Sequence, residues 1–167
     1  MSGSARKEPT DHGVAADHVE SVMRAARVLL SVVAQSVAEV EDIVTSPQLR
    51  VLVLISSRGP QNPGAIAADL DVHPSNATRT CERLVNAGLI ERSEDPRDRR
   101  YLQLTLSPRG EELVTQVMDH RRAAIAKVVR RLPAATRKNL AEALNAFAEA
   151  AGDSGTDDGR FALPSED

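Results

Sequence analysis

The chain has 167 residues and a hydrophobic fraction of 41%, enough for one domain with helical extensions. Aromatic residues make up only 2%, which argues against a protein that stacks single-stranded bases on rings. The net charge of −3 gives no overall attraction to nucleic acid, and the single cysteine excludes an internal disulfide.

The charge is unevenly distributed. The segment Gly152–Asp167 has five carboxylates and one arginine, a net charge of −4, so the rest of the chain carries +1. Between His73 and Arg109 there are seven arginines, five carboxylates and no lysine. Because the arginine fork pairs with phosphate and with guanine, the overall charge does not exclude a nucleic-acid partner for this segment.

Residues 1–16 are polar and aperiodic and are predicted to form a disordered arm. From Asp17 to about residue 45, apolar residues recur every three or four positions, which predicts one long helix. Its apolar stripe is broad, so both a core helix and a helix between two chains fit the pattern. The longest apolar run, Val28–Ala38, is too short to span a membrane, and no signal-peptide core precedes it. A soluble cytoplasmic protein without a membrane partner is therefore predicted.

Two further helices precede a third that is polar on one side. Ser46-Pro47 predicts the start of a helix that is apolar nearly all round, ending at Gly59-Pro60. A short helix is expected from Asn62-Pro63 to about Leu70, and another from Pro74 to about Ala87. The tight connection between the last two is typical of a helix-turn-helix. The predicted inner face of the third helix consists of Ala77, Cys81 and Leu84.

A β-hairpin is predicted after this helix. Gly88 occupies the position of a left-handed C-terminal cap. Leu89–Ser93 and Tyr101–Leu106 have strand character, and the second strand alternates with Leu102, Leu104 and Leu106 on one face. The turn between them is polar, so the hairpin is expected to project as a wing.

The C-terminal part is predicted to be helical. Ser107-Pro108 predicts the start of a helix that runs to about Arg131, and a last helix is expected over Ala135–Ala150. Residues 152–167 are predicted to form a disordered acidic tail. The residues expected to be buried on the last helix are Leu140, Leu144 and Phe147.

The sequence resembles the MarR family of winged helix-turn-helix transcription regulators. The resemblance extends from Pro47 to about Leu113 and rests on VHPSNATRTCERLVNAGLIER at Val72–Arg92, ERSEDPRDRR at Glu91–Arg100 and LQLTLSPRGEEL at Leu102–Leu113. It implies a mainly α fold in which long N- and C-terminal helices form a dimerisation domain. Residues 17–45 would be the N-terminal dimerisation helix, 46–110 the winged DNA-binding domain and 111–151 the C-terminal dimerisation helices.

The second helix of the helix-turn-helix carries the first group of candidate DNA-binding residues. Near its N-terminus, Arg79 is placed to pair with guanine, and Asn76 with adenine or phosphate. One turn further on, Arg83 is expected to meet the DNA backbone. For Ser75, Asn76 and Thr78 the alternative is that they only cap the helix.

The wing carries the second group. The resemblance implies that Arg97 enters the minor groove, whereas the alternative is a solvated surface arginine. Asp95 or Asp98 is predicted to pair with a neighbouring arginine and order the loop, although both carboxylates could simply be solvated. Arg99 and Arg100 could bind phosphate or brace the wing.

The predicted function is that of a homodimeric regulator, in this family most often a repressor, that binds a pseudo-palindrome in double-stranded DNA. A small-molecule effector is a candidate partner, with no ligand-binding residues assigned. The alternative is a winged-helix protein-interaction module without specific DNA binding. No catalytic motif is present, so an enzyme is not predicted, and neither is a cofactor. The four histidines do not cluster, so no metal site is predicted, and Cys81 is expected to be a small buried hydrophobe.

Overall fold

A computed structural model describes residues 12–94 and 102–152. The order of elements is the predicted one: two helices, a helix-turn-helix, a hairpin and two further helices. The first helix begins at His12 rather than Asp17 and ends at Ala38, after which residues 39–43 form a turn. The helices are α1 His12–Ala38, α2 Ser46–Arg58, α3 Pro63–Asp69, α4 Pro74–Asn86, α5 Pro108–Val129 and α6 Ala134–Ala150, and the strands are β1 Ile90–Glu94 and β2 Leu102–Leu106. The mainly α winged helix-turn-helix fold is thus confirmed.

Helix α2 lies at the centre of the winged domain. Its N-cap is Thr45, one residue earlier than predicted, and the Thr45 N–H donates to the Gln48 side-chain oxygen at 2.8 Å. The helix packs against α4, α5 and β2. Because α2 is surrounded by these neighbours, apolar side chains are needed on most of its surface. The buried residues of α2 are Leu49, Val51, Leu52, Leu54 and Ile55.

The core joins residues that are distant in the sequence. Ile66 of α3, Leu84 of α4 and Leu104 of β2 are among the largest fully buried side chains. The predicted inner face of α4 is confirmed, because Ala77, Cys81 and Leu84 are all buried. The core also includes Leu113 and Val117 of α5 and, at the end of α1, Val37.

The wing is a hairpin with an additional backbone contact. Strands β1 and β2 pair antiparallel, from Ile90 opposite Leu106 to Glu94 opposite Leu102. Gln61, outside these strands, exchanges two backbone hydrogen bonds with Leu104, at 2.7 and 3.0 Å. Of the three leucines predicted to lie on one face of β2, Leu104 is buried, whereas Leu102, at the far end of the hairpin, is 53% exposed.

The start of α5 is tightly packed against the base of the wing. The buried Ser107 hydroxyl donates to the Gly88 carbonyl at 2.7 Å and accepts from the Gly110 N–H at 3.1 Å. Gly88 has the predicted left-handed backbone, with φ of 68°. A Cβ on Gly110 would lie 2.0 Å from the Leu89 carbonyl oxygen, so this close approach requires glycine.

The outer helices expose large apolar side chains. Helix α6 buries no residue in the protomer, so the expectation that Leu140, Leu144 and Phe147 are buried is wrong for a single chain. Leu144 is 49% and Phe147 55% exposed, and Val19 of α1 is 61% exposed. The apolar segment extends beyond Val28–Ala38 to the 23 residues Ala16–Ala38, whose mean hydropathy of 1.3 would suit a membrane span, although burial between protein helices selects the same composition.

Candidate nucleic-acid interface

Helix α4 begins with a histidine cap. His73 is its N-cap residue, and its Nδ1 accepts a hydrogen bond from the Ser75 N–H at 3.3 Å. The same nitrogen lies 2.8 Å from the Ser75 hydroxyl oxygen. The side chain that caps α4 is thus that of His73, and the alternative roles of Ser75 stay predictions.

Thr78 also has a local partner. Its hydroxyl donates to the Pro74 carbonyl at 3.0 Å, one turn earlier in the helix. The side chain is nevertheless exposed, as is that of Ser75. The Thr78 hydroxyl can still accept a hydrogen bond, but its donor capacity is used within the helix.

The long polar side chains of α4 have no such partners. Asn76, Arg79 and Arg83 are exposed, and within the described part of the chain none of the three forms a side-chain hydrogen bond or ion pair. Their predicted outward orientation is confirmed. They leave donors and, on Asn76, an acceptor free for an external partner.

An open cleft of about 980 Å³ borders this helix. It lies between the end of α1, the start of α2 and α4, and Arg50, Arg79 and Arg83 line it together with Glu41 and Asp71. Three guanidinium groups thus face two carboxylates, which makes the cleft cationic. Sequence reasoning missed Arg50 because it stands within the nearly continuous apolar run of α2.

The turn that joins α3 to α4 contains a left-handed residue. Asp71 has φ of 52°, a conformation that aspartate tolerates better than most residues. The turn continues with a hydrogen bond from the Val72 N–H to the Ala67 carbonyl at 3.0 Å. This compact connection determines the angle at which α4 leaves α3.

The predicted wing residues are only partly within the described chain. The exposed residues 91–94 of β1 lead to the Glu94–Leu102 pair, where the described part of the hairpin ends. The predicted wing-tip residues Asp95, Arg97, Asp98, Arg99 and Arg100 lie outside the described residues. Their roles stay predictions.

Cys81 lies behind the exposed face of α4. It is 2% exposed, and burial raises the pKa of its thiol to about 11, against a smaller opposing effect of the Arg92 charge. The expected small buried hydrophobe is confirmed.

The buried thiol of Cys81 is expected to resist alkylation. At pH 8 a group with a pKa of about 11 is a thiolate in roughly one molecule in a thousand, so iodoacetamide should modify the folded protein far more slowly than the unfolded chain. Because the folded pKa lies above the ordinary value of 9.0, the thiol stabilises the fold fully below pH 9 and progressively less up to about pH 11. Mass spectrometry of timed reactions measures this, with Glu82→Cys, exposed on the same helix, as the reactive control. Equal rates at the two positions would contradict the burial of Cys81.

Comparisons with known proteins agree with this geometry. The model of the MarR family matches residues 44–102, which include α2, α3, α4 and β1. The crystal structure of RV1404 from Mycobacterium tuberculosis superposes with a TM-score of 0.73 and 39% identity, covering 90% of this chain and 99% of that one. The transcriptional regulator ML2140 of Mycobacterium leprae is 33% identical over 63% of this chain and 69% of its own length. The transcriptional repressor MdtR of Bacillus subtilis is 33% identical over 50% of this chain and 54% of its own.

Proposed function

Because this chain belongs to the MarR family of transcriptional regulators, we propose that it acts in the cytoplasm as a homodimeric repressor on a pseudo-palindromic site in double-stranded DNA. The observation that carries this proposal is the exposed face of α4. Asn76, Arg79 and Arg83 stand there without partners in the described part of the chain, next to the base of the wing.

The apolar surfaces of the outer helices support a homodimer. Val19 and Val22 of α1 and Leu144 and Phe147 of α6 are each 44% or more exposed, although all are large apolar side chains. A second copy of the chain that packs these helices together would remove that surface from water, which stabilises the assembly. Two copies related by a twofold axis present two α4 helices, and helices that enter successive major grooves on one face lie about 34 Å apart.

Each candidate DNA-binding residue of α4 has a proposed contact. Arg79 can donate two hydrogen bonds to guanine, and Asn76 can pair with adenine. Arg83, one turn later, is assigned to phosphate. Thr78, whose hydroxyl proton is used within the helix, is assigned as an acceptor, and Ser75 as a contact of the helix N-terminus with phosphate.

The wing completes the proposed interface. Arg97 is assigned to the minor groove, where a narrow groove concentrates negative potential. Arg99 and Arg100 are assigned to phosphate or to bracing of the hairpin, and Asp95 or Asp98 to an arginine that orders it. These assignments rest on the motif at Glu91–Arg100.

Repression and its release follow from occupancy of the site. The relative MdtR is named a repressor, which supports this sign of regulation. A dimer bound across a promoter excludes other proteins by steric overlap. A small-molecule effector would release it only by binding more tightly to a dimer whose two α4 helices have the wrong spacing for DNA.

Selection of bound sites from random duplex DNA tests the proposal. We expect enrichment of an inverted repeat whose half-sites are separated by about one helical turn. The affinity for the selected site should fall steeply with salt concentration, because several arginine–phosphate contacts displace counterions. A shallow salt dependence without an enriched sequence would instead favour a protein-interaction module, the alternative that the net charge of −3 supports.

Substitution of Arg97 tests the wing separately. Arg97→Ala is expected to lower the affinity for the selected site about tenfold or more, because a guanidinium in a narrow minor groove contributes both charge and shape recognition. Gel shift measures the affinity, and sedimentation velocity verifies that the dimer persists. Arg122→Ala, on the exposed surface of α5, is the matched control and should change neither. Wild-type affinity of the Arg97 variant would remove this residue from the interface.

A further inference from the structure

Two arginines of α2 hold the same end of α3. Arg50 Nη2 donates to the Leu70 carbonyl at 3.3 Å, and Arg58 Nη1 forms an ion pair with Asp69 Oδ2. The side chains of Arg58 and Asp69 are only 22% and 25% exposed. Because the two arginines stand eight residues apart, about 12 Å along the helix, they approach the end of α3 from different positions on α2. We call Arg50, Arg58, Asp69 and Leu70 the α2–α3 clamp.

The clamp ends where the orientation of α4 is determined. Asp71, the next residue, has the left-handed backbone, and α4 begins three residues later at Pro74. With so short a connection, any rotation of the end of α3 is transmitted to α4. Arg83 lies nine residues into α4, about 13 Å from its start, so a tilt of about 10° at the turn would displace its backbone by about 2 Å. A displacement of that size breaks a hydrogen bond to a base edge.

We propose that Arg50 and Arg58 are positioning residues for sequence-specific DNA recognition, which hold α4 at its binding angle without touching DNA. This inference rests on the proposed function. Two residues of α2, whose apolar side chains otherwise pack in the core, would then determine the specificity of DNA binding.

The surroundings of Arg50 distinguish positioning from direct contact with phosphate. Its Nε is enclosed by protein and has no hydrogen-bond partner within residues 12–94 and 102–152, while Nη2 is directed to the Leu70 carbonyl. The guanidinium thus contacts the end of α3 at the edge of the cleft that Arg79 and Arg83 also line. Removing the Arg50 guanidinium from water costs free energy, and this cost offsets much of the attraction between the guanidinium and the Leu70 carbonyl. We therefore expect Arg50 to affect the orientation of α4 more than the global stability of the fold.

The test compares specific with non-specific affinity. Arg50→Met and Arg58→Met keep the approximate length of the side chain but remove its hydrogen-bond donors. Arg122→Met is the control, because Arg122 and its ion-pair partner Asp119 are 72% and 63% exposed. Binding to the selected site and to a random duplex of equal length is measured over a range of salt concentrations. We expect each clamp variant to lose about tenfold on the selected site and less than twofold on the random duplex. Arg50→Lys and Arg58→Lys, which keep one cationic donor, should recover most of the loss, and Arg122→Met should change neither affinity.

Three binding results would overturn the clamp alone. The first is an unchanged affinity of the clamp variants for the selected site. The second is an equal loss of affinity for both duplexes, which would indicate general destabilisation. The third is a salt dependence whose slope falls by about one, which would indicate a lost phosphate contact. If the wild-type protein does not discriminate between the duplexes, the proposed function fails, and the clamp's role in it fails with it.

Hydrogen exchange in the absence of DNA gives an independent readout. The Val72 amide, bonded to the Ala67 carbonyl across the turn, should exchange faster in Arg50→Met than in the wild type or in Arg122→Met. Unchanged exchange would overturn the clamp even where the wild type selects a site.

Discussion

Replacement of Gly110 by alanine is expected to destabilise the protein by about 2–3 kcal/mol, the upper part of the range for overpacking a close-packed site. Gly110 lies in the first turn of α5, where a Cβ would approach the Leu89 carbonyl oxygen to 2.0 Å and the Leu89 carbonyl carbon to 3.1 Å. Both are backbone atoms at the base of the wing, so no flexible side chain can move aside. Either the start of α5 or the segment that leads into β1 must shift, and the hydrogen bonds of the Ser107 hydroxyl to Gly88 and Gly110 are then strained or lost.

The sign of this effect makes the measurement informative. Alanine is a better helix former than glycine by about 1 kcal/mol, so local propensity alone predicts that Gly110→Ala stabilises the protein. Denaturant unfolding at fixed protomer concentration measures the change. Glu112→Ala, an exposed substitution in the same helix, is the control and should stay within about 0.5 kcal/mol of the wild type. A gain in stability for Gly110→Ala would show that α5 does not approach the wing so closely.

Leu144→Asp in α6 is expected to dissociate the homodimer and to lower the affinity for the selected site roughly a hundredfold or more. Leu144 is 49% exposed in the protomer, and Phe147, one turn later, is 55% exposed. If a second copy covers them, the new carboxylate must be buried without a partner, which costs several kcal/mol. A lone protomer binds one half-site and loses the gain from two linked contacts, which reaches 10²–10⁴.

Asn145→Asp is the matched control. It adds the same charge one residue later, where the helical repeat places it on the polar side of α6 with Lys138 and Glu142. Sedimentation velocity and gel shift measure assembly and DNA binding for both variants. The control should remain a dimer with wild-type affinity. A dimeric Leu144→Asp protein would exclude this face of α6 from the interface.

The elements and one face of the candidate site followed from local patterns. Hydroxyl–proline pairs marked the starts of α2 and α5 to within one residue, because the capping residue and the proline act within a single turn. The spacing of Ala77, Cys81 and Leu84 identified the buried side of α4, and the opposite side, with Arg79 and Arg83, is indeed exposed. A periodicity of 3.6 residues divides a helix into two faces without any knowledge of its neighbours.

Other features had no local signal. The backbone bridge between Gln61 and Leu104 joins positions 43 residues apart through a single residue pair, which is too short for a strand pattern. Arg50 is one cation in an apolar helix, and its partner is a backbone carbonyl that any sequence supplies. The apolar line of α6 did not indicate that none of its residues is buried within the described part of a single chain.

The sequence alone determined the order of the elements and the polar face of α4, since both depend on residue types at short, fixed spacings, and its motifs carried the resemblance to the MarR family. Only the tertiary structure decided how closely Gly110 approaches Leu89 and where Arg50 and Arg58 bind the end of α3. It also decided which apolar surfaces of α1 and α6 stay exposed in the protomer. The physical reason is range. Capping and periodicity act over one or two helical turns, whereas packing depends on where distant segments of the chain meet. Every residue type supplies the same backbone carbonyl, so the sequence does not indicate which carbonyl will be contacted.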